Sequence, residues 1–277
     1  MHVSYGRQLV RSGFGRTGLA IFGLLAVVAL VCPFLVRDPH LQTVQVLEAP
    51  SAAHLLGTND VGQDLLARLL CGARTSVLVA LCAGAASTFI AAVVGVSAGL
   101  IGGLYEKVVM RLVDALLVIP AILVLILVAA YVEPTMWGLI LLISVLQWQG
   151  GARIVRAQTL SLKERAHVSA AKTFGAGGLH VACRHVLPDL APILVVSFVH
   201  RARRAVFMAA GLAFIGIADP TMVSWGTMIR HALDFYYLPA WKWWLLPPGI
   251  CLSLLILSFL FMGHSLEKAM DPRLRDA

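Results

Sequence analysis

The chain has 277 residues, 59% of them hydrophobic and 13% charged, with a mean hydropathy of +0.86. It carries about half the charge of an average soluble domain, which excludes a disordered chain and argues against a water-soluble globule. Twenty-two Lys and Arg against fourteen Asp and Glu leave a formal charge of +8; in so apolar a chain this excess is read against a bilayer rather than a nucleic acid, because it must collect in loops.

A hydrocarbon core of about 30 Å needs about 20 apolar residues of helix, and six stretches qualify. The first, residues 17–36, follows Arg7, Arg11 and Arg16. Its apolar run is longer than a signal core, and Val36-Arg37-Asp38 offers no small-x-small cleavage pattern, so a retained anchor is expected. Residues 37–75 form an outer segment whose turn-rich Leu56-Gly57-Thr58-Asn59-Asp60-Val61-Gly62-Gln63-Asp64 leads into Leu65, Leu66, Leu69 and Leu70. That spacing, with Gln63, Asp64 and Arg68 on other faces, predicts a short amphipathic helix on the outer membrane surface. The second span lies between Arg74 and Glu106. The third covers about 112–132, with Asp114 near its start and Pro120 as a kink, and the fourth covers about 136–152. A lipid-exposed backbone must satisfy its own hydrogen bonds, so helices are expected; the short alternating segments of a membrane barrel are absent from the sequence.

Residues 153–186 are a cytoplasmic loop with six basic residues and one acid, Glu164. Alanines at 166, 170 and 171 favour helix, and Phe174-Gly175-Ala176-Gly177-Gly178 supplies a stop and a sharp turn before a second short helix over 179–186. Two short helices joined by a glycine turn make a rigid knob that another protein can grip. The fifth span, about 188–218, is interrupted by His200-Arg201-Ala202-Arg203-Arg204. Tyr236, Tyr237, Trp241, Trp243 and Trp244 cluster before the sixth span, 243–262, where an interfacial aromatic belt anchors a helix. Cys32, Cys71, Cys82, Cys183 and Cys251 show no repeated spacing, so neither a disulfide framework nor a metal site is expected.

With the N-terminus (1–16) in the cytoplasm, fourteen Lys and Arg fall on the inner side, including the C-terminal segment 263–277. Five fall outside (Arg37, Arg68, Arg74, Arg230 and Lys242), and Arg201, Arg203 and Arg204 lie within the fifth span. The asymmetry predicts that both termini are cytoplasmic.

At the inner loop the chain resembles a permease subunit of an ATP-binding-cassette importer, whose loop has the form E-A-A-x3-G-x9-I-x-L-P. Here it reads Ser169-Ala170-Ala171, three residues, Gly175, nine residues, then His185-Val186-Leu187-Pro188. Ser169 replaces the acid, and Arg184-His185-Val186-Leu187-Pro188 is similar to the R-H-x-L-P of the dipeptide, oligopeptide and nickel branch. Residues 56–69 with Gly72-Ala73-Arg74-Thr75-Ser76 resemble the L-G-T-D-x-x-G-R-D-x-x-S-R-x-x-x-G-A-R-x-S signature of that branch's C-type subunit. Gly211-Leu212-Ala213-Phe214-Ile215-Gly216, then Pro220 and Ser224-Trp225-Gly226, resemble that branch's later S-F-L-G and P-x-x-x-W-G landmarks, and Asp271-Pro272-Arg273-Leu274 is similar to its D-P-R ending.

The resemblance implies an all-α polytopic membrane protein with about six transmembrane helices, the type I importer permease fold, in a bacterial cytoplasmic membrane. It implies a homologous permease, two cytoplasmic ATP-binding subunits, an extracytoplasmic binding protein and a peptide substrate, with nickel or a metallophore as the alternative cargo. Ser169, Ala170, Ala171, Lys172, Gly175, His185, Leu187 and Pro188 would form the ATPase-coupling loop, with Lys172, Arg165 and Arg184 available to acids on the partner. No G-x-x-x-x-G-K-[ST] loop occurs in the sequence, so ATP and Mg belong to partner subunits and this chain needs no cofactor, catalytic residue or bound metal of its own. G-x-S-x-G and H-E-x-x-H are also absent, which argues against an intramembrane hydrolase. His40, His54 and His231 are the outward histidines relevant to metal cargo.

Ionisable residues within a span are functional candidates. At about 100° per residue, His200, Arg203 and Arg204 share one arc while Arg201 lies far from Arg203, so one cavity is not expected to collect all three guanidiniums. The first three either face a translocation path and attract a substrate carboxylate, or pair with Asp114, Glu133, a partner's acid or lipid headgroups.

Overall fold

The computed structural model describes residues 9–10, 12–35, 38–132, 135–217, 219 and 221–270. Arg7, Arg11, Val36, Arg37, Glu133, Pro220 and the Asp271-Pro272-Arg273-Leu274 ending lie outside the described residues. Among the described residues there are helices and two isolated bridges but no strand.

Helix α1 (Gly13–Leu35) packs on α2 (Leu65–Ile101), whose 37 residues extend about 55 Å, longer than a hydrocarbon core is thick. Asp64 caps α2 by accepting the Ala67 amide at 2.8 Å. Gly72 packs against Trp225 without interrupting the helix, so the expected surface helix is instead the first two turns of α2: Leu65 is 1% exposed and Arg68 is buried, donating to Gln63. Small residues let α2 approach its neighbours closely. A Cβ on Gly84 would lie 3.0 Å from Ala202, one on Gly95 2.6 Å from Val155, and one on Gly99 2.7 Å from Thr159.

The third span is two helices, α3 (Gly103–Val118) and α4 (Ala121–Val132), bent by 77°. Pro120 causes the break by forcing Ile119 out of the helical region, to φ −81° and ψ 121°. The fourth apolar stretch, α5 (Met136–Gln147), breaks at Trp148 and continues 48° away as α6 (Gln149–Lys163), which runs beyond the expected end at residue 152. The Gly150-Gly151 pair weakens the ladder there, and the Gln149 side chain donates to the Val145 carbonyl at 3.0 Å. After α6 come α7 (Ala166–Thr173), α8 (Gly178–Val181) and a wide turn over Ala182–Val186 that feeds α9 (Leu187–Ile215). Gly216, at φ 87°, closes α9 in a left-handed cap. The chain ends with α10 (Trp225–Asp234), opened by a Ser224–Thr227 capping box, and α11 (Trp241–Met270).

Among the described residues four helical segments are each long and apolar enough to cross a membrane, and counting each bent pair as one span brings the number to six. Exposed Leu24, Leu30, Leu104, Leu123, Leu141 and Phe207 cover faces that a water-soluble protein would not leave bare.

Three apolar clusters hold the helices together. Leu25, Val77, Trp225, Trp244 and Phe259 join α1, α2, α10 and α11; Val79, Leu125, Ile143 and Leu212 join α2, α4, α5 and α9; Val96, Leu162, Val168, Val181 and Leu190 seat α7 and α8 against the far end of α2. Trp225 also donates to the Leu69 carbonyl at 2.9 Å, tying α10 to the opposite end of α2. The aromatic cluster divides: Tyr236 and Tyr237 are exposed, whereas Trp244 is 1% exposed and stacks on Phe235.

The Sγ atoms of Cys32 and Cys71 lie 2.9 Å apart, a pairing across 39 residues that sequence spacing does not announce.

Candidate functional site

Two regions gather the polar and exposed groups that the core does not use. The first is the knob of α7, the glycine turn and α8. Gly175 holds φ 84° with open space where a Cβ would be, so its requirement is conformational rather than steric. The turn closes α7 through Gly175 N–H to the Lys172 carbonyl at 2.9 Å and Ala176 N–H to the Ala171 carbonyl at 3.0 Å.

Val168, Val181 and Val186 are fully buried and fix the knob to Leu162 of α6 and Leu190 of α9. Ser169, Ala170, Lys172, Gly175 and Pro188 are exposed, and Ala171 and Leu187 are half-buried. His185 is half-buried between the rings of His167 and His180, with centroids 6.1 and 5.9 Å away. Arg165 and His167 both reach Asp189, at 3.6 and 3.3 Å, so Arg165 is engaged within the chain. Lys172 and Arg184 are the knob's unengaged cations among the described residues. Phe174 and Leu179 flank the turn at 90% and 81% exposure. Sequence reasoning used Phe174 only as a helix stop and passed over Leu179. The available signal was two large apolar residues set on either side of a glycine run in a charged loop.

The second region is a cavity of about 680 Å³ between α3, α4, α5, α6 and α9. His200, Arg201, Arg203 and Arg204 all line it, together with Pro120, Gln147, Gln149, Gly151 and Ser197. The expectation that the three guanidiniums could not share one cavity is therefore corrected. The helical angle separates their Cα positions, but long side chains and a wide cavity between several helices let all three residues line one space, Arg201 buried, Arg203 half-buried and Arg204 exposed.

Arg201 is buried and directs its guanidinium at the Gln147 carbonyl (3.4 Å) and Thr88 Oγ1 (3.5 Å). It occupies the space above Gly151, where a Cβ would fall 1.4 Å from Nη2. Both amide atoms of the Gln147 side chain are buried without a partner among the described residues. His200 bonds Glu267 of α11 at 2.7 Å, which realises the pairing alternative for that residue with an unexpected acid. Asp114 lies 3.7 Å from Arg153 rather than against the span-five arginines, and Glu106 pairs with Arg156 to link α3 and α6.

The three histidines expected on the outer side belong to no metal-holding cluster among the described residues. His54 bonds Asp64 at 2.7 Å. His231 sits on α10 with its pKa lowered, first by burial and then by the nearby Arg68 charge.

Apolar spans that bend around a largely apolar cavity bearing three arginines, with an anchored helical projection at one end, suit the membrane component of a transport system. Residues 91–276 match the family described as "Binding-protein-dependent transport system inner membrane component", and the chain belongs to that family. It is 34% identical over 264 residues to a putative peptide permease protein of Brucella suis biovar 1, covering 92% of this chain and 87% of the relative. It is 33% identical over 274 residues to the dipeptide transport system permease protein DppC of Bacillus subtilis, covering 97% of this chain and 85% of the relative.

Proposed function

We propose that the chain is one permease subunit of an ATP-driven importer for dipeptides and oligopeptides in a bacterial cytoplasmic membrane. The observation that carries this reading is the alignment, along nearly the whole chain, with proteins named as peptide and dipeptide permeases. In the complex a homologous permease completes the pore, a binding protein delivers peptide from the outer side, and two ATPase subunits bind on the cytoplasmic side. ATP and Mg sit on those ATPases, and this chain hydrolyses nothing. Both termini face the cytoplasm, in keeping with the fourteen-to-five distribution of basic residues.

The knob is the ATPase contact. Ser169, Ala170 and Ala171 present a small surface that a groove can approach, Phe174 and Leu179 enter it, and Lys172 and Arg184 meet acids at its rim. Because the knob is pinned through Leu162 and Leu190, its displacement moves α6 and α9 together, and these helices also wall the cavity. Closure of the ATPase pair thereby drives a packed unit rather than a loose loop, as shear between rigid bodies requires. His185, Leu187 and Pro188 set the direction in which the knob joins α9.

Reconstitution tests the reading. Labelled dipeptide should accumulate in proteoliposomes only when both permeases, the ATPases, the binding protein and ATP are present. Accumulation that persists without the ATPases would overturn it.

A further inference from the structure

We infer that the cavity around Arg201 is a carboxylate-binding subsite of the translocation path, in which Arg201, Arg203 and Arg204 favour negatively charged cargo and the Gln147 amide orients it. The inference rests on the permease reading and names the substrate chemistry that the path selects.

Arg201 is the central residue of α9, about 20 Å along the helix from either end. A charge at that depth must face protein or water. Arg201 faces protein, yet among the described residues nothing neutralises it: its two acceptors are neutral oxygens at long range, and no described carboxylate lines the cavity. Glu267 is paired with His200 and Asp114 with Arg153. Arg203 and Arg204 have no acidic partner among the described residues. Several cations thus line one open volume, and Arg201, Arg203 and Arg204 have no acidic partner among the described residues.

Two further features make this a built site rather than an accident of composition. Gly151 provides the seat for the guanidinium, since any side chain there would expel Nη2. Gln147, 5% exposed, keeps a free donor and a free acceptor, and buried polar atoms of this kind ordinarily have partners. A turn of this enclosed side chain toward the cavity it lines lets Nε2 donate to a carboxylate while Oε1 accepts a peptide N–H. The volume of about 680 Å³ lies within the usual range of small-ligand sites. Headgroup phosphates lie at the interface rather than the span centre, and the proposal assigns the anion to the translocated solute rather than to an acid of the partner permease, whose fixed charge would make the loss on mutation equal for all cargoes.

The test uses the complete complex with its binding protein in liposomes of phosphatidylcholine, with and without phosphatidylglycerol. Uptake is measured for Ala-Glu, Ala-Gln and Ala-Gln amide, which carry two, one and no carboxylates. For each probe the readout is the variant rate divided by the wild-type rate, which cancels the binding protein's own preference. Arg201→Gln and Gly151→Val should each reduce Ala-Glu uptake at least tenfold and leave the amide within about twofold of wild type.

Equal losses for all three probes, or no selective loss, would overturn the subsite while the permease reading stands. A dependence on phosphatidylglycerol that ignores cargo charge would assign the arginines to lipid and also overturn it. If wild type carries none of the peptides, the functional reading fails, and the melting temperature of the complex decides the subsite. Stabilisation by Ala-Glu in wild type but not in Arg201→Gln upholds the subsite, and its absence overturns it.

Discussion

Phe174→Ala isolates the proposed contact between the knob and the ATPase. The ring is 90% exposed and adds nothing to the chain's own core, so its truncation should change folding stability by no more than about 0.5 kcal/mol. Burial in a partner groove is different: enclosing a Phe or Leu side chain contributes about 1.5–3 kcal/mol. At 1.4 kcal/mol per tenfold, a loss of about 2 kcal/mol weakens ATPase docking roughly 30-fold. Leu179→Ala, on the other side of Gly175, should behave alike, and the two losses need not add because they share one groove. Titration of purified ATPase onto the permease pair in nanodiscs measures the affinity, and the melting temperature of the permease pair controls for folding. Affinity within twofold of wild type for both variants, with melting unchanged, would refute the assignment of the knob as the docking surface.

The helix packing gives three more expectations. Gly95→Ala places a Cβ 2.7 Å from the Ala152 carbonyl oxygen, which cannot swing aside; overpacking of this kind costs about 1–3 kcal/mol, so the variant should melt lower, and unchanged melting would contradict the close α2–α6 contact. Cys32 and Cys71, with sulfurs 2.9 Å apart, should be joined by mild oxidation and found as one cross-linked fragment by mass spectrometry; no cross-link in the intact complex would contradict the seating of α1 on α2. His231 has a pKa below its ordinary 6.5, chiefly through burial. Below that pH the unfolded chain takes up a proton that the folded chain refuses, so stability falls as pH drops. A melting profile of His231→Gln should therefore slope less between pH 6.5 and 5, in units set by the ordinary histidine range, and an unaltered slope would refute the burial argument.

How much of this was legible in the sequence depended on how local the cause was. A bilayer acts on composition, so the apolar runs at α1, α2, α5, α9 and α11 announce themselves. Pro120 bends the third span through its own ring and its effect on Ile119, and Gly175 marks its turn because few other residues tolerate its φ. The knob's register was equally readable, since the motif from Ser169 to Pro188 occupies 20 consecutive residues.

Long-range pairings were not readable. Arg201 meets Gln147 and Thr88 from 54 and 113 residues away, and the space it fills exists because Gly151 on another helix has no side chain. A helical wheel describes one helix, whereas the cavity belongs to several. Leu65–Leu70 misled for a related reason: its amphipathic spacing suits a surface helix, but Arg68 finds Gln63 inside the protein and the helix simply continues. His200 and Cys32 likewise take partners, Glu267 and Cys71, that only the packed helices bring near.

The most direct test of the central claim is ATP-driven uptake by the complete reconstituted complex, comparing labelled dipeptides and oligopeptides with nickel complexes. The account predicts accumulation of peptide that requires ATP, the binding protein and the ATPase subunits. ATP hydrolysis stimulated by the binding protein with no peptide accumulation, or accumulation of nickel complexes alone, would contradict it.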